Sequence, residues 1–153
     1  MMVYPKKLAA SFIFLAASLA SPAMAGTIEI RNTVAHLEHD PEHGSRIEIF
    51  LTIVNSGTAM DRIYAVRSQI AKKGQISGGV DQHAAAGQHA DHTAATAVNL
   101  PAGQTTELFE EGSHLELGEL KAEPKPGDEI DVTLFFEKAG PMTVKIAIAD
   151  ENH

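Results

Sequence analysis

The sequence predicts an all-β protein, an antiparallel sandwich or barrel, and three observations lead there. Short alternating or β-branched runs recur along the chain, Gly/Pro/Asn turn clusters separate them at short intervals, and no window carries an apolar stripe at helical spacing. Residues 27–31 (TIEIR) alternate with period two, as a half-buried strand does. Residues 46–54 (RIEIFLTIV) form a longer strand, stopped by Asn55, Ser56 and Gly57. Residues 61–66 read as the next strand; 104–109 and 114–117 follow, parted by Glu110, Glu111 and Gly112. A turn at 124–128 precedes a strand at 129–136, and a second turn at 138–141 precedes one at 142–148. Residues 78–97 break the rhythm. They are rich in Gly, Ala and His, develop no apolar face, and are expected to form an exposed loop. No repeat of fixed period is present.

Composition narrows the function classes. A chain of 153 residues suits one domain. The absence of cysteine excludes a disulfide framework, thiolate zinc sites, iron–sulfur ligation and a cysteine nucleophile. A net charge of −8 argues against nucleic acid as a partner, because phosphate backbones require a basic face. At the N-terminus Lys6 and Lys7 precede a short apolar run, and Ala23-Met24-Ala25 supplies a cleavage signature. Residues 1–25 are therefore expected to be a secretory signal peptide, with export to the periplasm and a domain over 26–153. The apolar run is shorter than the ~20 residues a bilayer span needs, so no membrane span is expected after cleavage. Loss of Lys6 and Lys7 takes the basic residues from 12 to 10 and the net charge from −8 to −10. Only Met60 and Met142 remain of five methionines, both expected to be packing residues, whereas all 8 histidines are retained.

The histidines fall in two groups and two single positions. His36, His39 and His43 lie among Glu38, Asp40, Pro41, Glu42 and Gly44, a composition typical of a turn. His83, His89 and His92 lie in the Gly/Ala segment with Asp81 and Asp91. His114 opens a strand as His-Leu-Glu, which puts His114 and Glu116 on one face. His153 is terminal. Imidazole and carboxylate are donors for Zn(II), Cu(II) or Ni(II), so the candidate metal ligands are His92, His114, Glu116, Asp81, His83, His89, His36, His39 and His43.

Several segments, in order, resemble the periplasmic copper chaperone family PCuAC. They are FLTIVNSG at 50–57, DRI at 61–63, NLPAGQTTEL at 99–108, GSHL at 112–115, KPGD at 125–128 and LFFEKAG at 134–140. The resemblance spans residues 47–148 and implies a cupredoxin-like antiparallel Greek-key sandwich that carries Cu(I) to cytochrome oxidase. The family's metal motif is His-x-Met, ten residues, Met, twenty-one residues, His-x-Met. With the last histidine set on His114, the earlier positions fall on Gly79, Asp81 and His92, and the last methionine on Glu116. The spacing is kept while thioethers give way to imidazole and carboxylate, which moves the donor set from soft Cu(I) towards Cu(II) or Zn(II).

The reading that follows is a periplasmic, copper chaperone-like protein that captures copper, as Cu(I) or Cu(II), or zinc through a His/carboxylate site. It would hand the ion by ligand exchange to an exported or membrane-bound recipient. The rival is an interaction module that keeps the fold and has lost the site. An enzyme is not expected: there is no Gly-x-Ser-x-Gly elbow, phosphate loop or HExxH helix.

Overall fold

The structure is a computed structural model that describes residues 27–42, 44–78 and 97–149. Nine strands run through them: β1 (Ile28–Asp40), β2 (Gly44–Asn55), β3 (Asp61–Ser68), β4 (Ala71–Ser77), β5 (Val98–Leu100), β6 (Gln104–Leu108), β7 (His114–Leu120), β8 (Glu129–Phe136) and β9 (Gly140–Ala147). There is no helix among the described residues, and so none long and apolar enough to cross a membrane.

The strands form two antiparallel sheets. One runs β1-β2-β7-β4, with β6 also on β2, and the other runs β5-β3-β8-β9. β6 and β7 follow one another along the same side of β2. Leu51 to Asn55 pair with β6, and Ile47 to Ile49 pair with β7. The chain passes between sheets after β2, β3, β4, β5 and β7, and among the described residues these strands pair antiparallel throughout, with an isolated parallel bridge between Ala35 and Ile148 beyond the end of β9.

Period-two alternation decides which side chains fill the space between the sheets. Ile47, Ile49, Leu51 and Ile53 of β2 are buried, as are Leu115 and Leu117 of β7. Ile130, Val132, Leu134 and Phe136 of β8 meet them from the other sheet. The intervening residues of β2, including Arg46, Glu48 and Phe50, therefore face outward. Burial of these branched side chains is what stabilises a cysteine-free chain, at ~1.5–3 kcal/mol for each fully buried one.

The structure corrects the sequence expectations at three places. β1 does not stop near residue 31: a bulge between Arg31 and Val34, with Asn32 at φ 50°, shifts the alternation, and the strand resumes to Asp40. His36 and His39 are therefore on a strand and not in a turn; among the described residues the turn takes Pro41 and Glu42, with Glu42 N donating to Asp40 Oδ1 at 2.8 Å. β4 carries no apolar alternation, since only Ala71 and Ile76 are buried in it, and pairing with β7 makes it a strand. Met60, expected to pack, is 53% exposed, while Met142 does lie against the core.

Candidate metal site

The outer face of the first sheet gathers the polar residues of four strands. Glu48 of β2 stands directly opposite His36 of β1 on one side and Glu116 of β7 on the other, and Glu116 stands opposite Gln75 of β4. One step along, Ser77 pairs with His114. Donor atoms of Glu48, His114 and Glu116 all lie within 4.8 Å of one another, which places one imidazole and two carboxylates around a common point.

Each of the three is held. Glu116 accepts from Gln75 Nε2 at 2.8 Å through Oε1 and from Ser77 Oγ at 3.4 Å through Oε2. Glu48, whose side chain is 14% exposed, accepts from Arg46 Nε at 3.0 Å. Burial works against the charge of Arg46, but the bond to Glu48 and the fields of Glu48, Glu116 and Glu38 outweigh it, so its pKa lies above the ordinary arginine value. His114 Nδ1 lies 3.2 Å from the Gly112 carbonyl oxygen. A carbonyl only accepts, so this bond puts the proton on Nδ1 and leaves the Nε2 lone pair for a metal ion.

The turn that supplies Gly112 is packed tightly against the end of β4. A Cβ on Gly78, which has φ +66°, would meet the Gly112 oxygen at 2.0 Å and His114 Nδ1 at 3.3 Å. Phe50 fills the face beside the site, with the His36 ring centroid 5.5 Å away on one side and that of His114 6.0 Å away on the other, both edge-on.

Of the residues singled out from the sequence, His114 and Glu116 come together here. His36 shares the face but sits two strands from β7, ~10 Å across at the usual spacing. His39 is three residues further along the strand and so points to the opposite side. There it meets Ser45 Oγ at 2.8 Å through Nδ1, and Ser45 in turn donates to Glu123. The structure thus separates His36 from His39. Asp81, His83, His89, His92 and His43 lie outside the described residues. Glu48 was not among the sequence candidates. Its outward position was readable from the alternation of β2, but its pairing with Glu116 was not.

Two antiparallel sheets packed face to face, with one imidazole and two carboxylates gathered on the outer face of one, define a cupredoxin-like β-sandwich protein. The profile of the family described as "Putative lipoprotein LpqE-like" matches residues 27–148, and the chain belongs to this LpqE-like family. Its fold is that of PCuAC domains. A copper-bound PCuAC domain from PmoF2 superposes with a TM-score of 0.64 at 27% identity, over 82% of this chain and 94% of that one. The apo PCuAC domain from PmoF1 gives 0.66 at 24% identity, over 82% and 97%. The Cu(I)-bound DR1885 of Deinococcus radiodurans gives 0.60 at 18% identity, over 90% and 85%. No curated protein sequence matches the chain.

Proposed function

We propose that this protein is an exported, copper chaperone-like carrier. Its cargo ion is taken on the outer face of the first sheet by Glu48, His114 and Glu116 and passed to a recipient by ligand exchange. The observation that carries the reading is the convergence of those three donors within 4.8 Å on a fold whose solved counterpart from PmoF2 holds copper. Two carboxylates directly opposite one another on neighbouring strands repel. A cation between them removes that cost, and the imidazole Nε2 completes three donors of a nitrogen/oxygen set. These three leave a coordination position that a further donor of this chain or, during transfer, a ligand of the recipient occupies in turn.

The remaining sequence expectations belong to the same proposal. Residues 1–25 direct export to the periplasm, supported by the family match beginning at residue 27. His92, with Asp81, His83 and His89, adds donors from the segment that leaves β4 beside His114. These 153 residues contain no cysteine, so they offer no thiol for lipid attachment, although the family is described as one of lipoproteins.

Competition titration of the purified protein with Cu(I), Cu(II) and Zn(II) tests the reading. Copper is expected to bind in a one-to-one complex, and His114→Ala to weaken it at least about ten-fold. Unchanged copper affinity in His114→Ala refutes the site. A site that takes zinc in preference to either copper state makes the protein a zinc carrier, and no binding of any ion leaves the interaction module.

A further inference from the structure

Among the described residues, Arg46 is the one guanidinium in contact with the proposed donors. Its Nε is 3.0 Å from Glu48 Oε1, and its Nη1 is 3.7 Å from Asp40 Oδ2 on the neighbouring strand. Glu38 stands directly across from it in the β1–β2 register. Arg46 therefore sits between two sets of carboxylates: Glu48 and, through its field, Glu116 on the metal side, and Glu38 and Asp40 on the β1 side. An ion arriving at Glu48 competes with this guanidinium for the same carboxylate. The acceptors on β1 allow Arg46 to give Glu48 up without losing all its partners.

We propose that Arg46 is a charge-selectivity residue for the cargo, disfavouring a divalent ion at the Glu48–His114–Glu116 site more than a monovalent one. The inference rests on the carrier reading above. Its physical basis is that the energy of a fixed positive charge beside a bound ion is proportional to the charge of that ion. A unit charge ~6 Å away, acting through a water-like medium, changes affinity about three-fold per unit of ion charge. The cost is then about three-fold for a monovalent ion and about ten-fold for a divalent one. The nitrogen/oxygen donors alone favour divalent ions, and Arg46 pulls the same site back towards Cu(I). Each ion's preference for the donors cancels when variant and wild type are compared, so the comparison isolates the charge.

The test is a pair of titrations, Zn(II) under ordinary buffer and Cu(I) under reductant, on wild type, Arg46→Gln, Arg46→Lys and His114→Ala. Each variant is checked for its fold by circular dichroism. Arg46→Gln is expected to tighten Zn(II) about ten-fold and Cu(I) about three-fold, while Arg46→Lys, which keeps the charge, stays near wild type. Equal shifts for the two ions, or weaker binding of both in folded Arg46→Gln, overturn the inference. So does Arg46→Lys behaving like Arg46→Gln, because the fork geometry and not the charge would then matter. If His114→Ala leaves both affinities unchanged, the carrier reading itself fails and takes this inference with it. Loss of both ions in His114→Ala alongside equal shifts in Arg46→Gln removes the selectivity alone.

Discussion

Asp61 is a carboxylate only 4% exposed, at the start of β3. Burial pushes its pKa up, but backbone N–H groups of Lys138, Ala139 and Arg62 donate to it at 2.8–2.9 Å and hold its pKa below the ordinary aspartate value. It thereby ties β3 to the turn between β8 and β9. A depressed folded-state pKa means that its contribution is fully present above the unfolded value of ~3.9 and is lost as pH falls through the folded value. Asp61→Asn is expected to cost about 1–3 kcal/mol at pH 7, the range for unsatisfied buried donors. The gap between wild type and variant should narrow as the pH is lowered towards 2. Urea denaturation at a series of pH values measures this, and a gap that stays constant would remove Asp61 from the acid limb of the stability curve.

Among the elements, the β2–β7 pair shows stability and binding pulling in different directions. Glu48 and Glu116 face each other across it, with Gln75 and Ser77 steadying one and Arg46 the other. Glu116→Gln removes the like-charge contact while keeping an acceptor oxygen for Gln75. The metal-free variant is expected to stay within about 0.5 kcal/mol of wild type or to gain slightly, whereas metal affinity falls. Thermal unfolding with and without the ion separates the two effects. Half of this arrangement was legible in the sequence. The alternation of His114, Leu115 and Glu116 is local, and it put both polar residues on one face. Glu48 was equally visible as an outward residue, yet nothing local says which strand lies beside β2. β4 was missed for a related reason: with only two buried side chains it has no pattern of its own and is a strand because β7 pairs with it.

Across the whole molecule, the inner faces hold the outer one in place. Leu117 is fully buried one residue beyond Glu116 and on the other side of the same strand. Leu117→Ala is expected to cost about 2–5 kcal/mol through the cavity it leaves, with the folded fraction binding metal as wild type does. A combined denaturation and titration series would detect any coupling between core and site, which would show as weakened binding under conditions where the variant is fully folded. The two sheets also approach very closely where β4 follows β3. A Cβ on Gly74 would stand 2.0 Å from the Val66 carbonyl oxygen, so only glycine fits there.

What the sequence by itself determined is what depends on neighbours along the chain: the strands with their own alternation, the turns after Asn55 and before Glu129 and Met142, the acidic charge and the shared face of His114 and Glu116. Tertiary structure decided what depends on register. It set His36 beside Glu48 and turned His39 away towards Ser45 and Glu123, because residues three apart on one continuous strand point to opposite faces. It also brought Glu48, His114 and Glu116 to one point, with Arg46 at its edge. Side-chain alternation is a local property of an extended backbone, whereas the pairing of strands is chosen by burying both inner faces at once, and no short segment carries that choice.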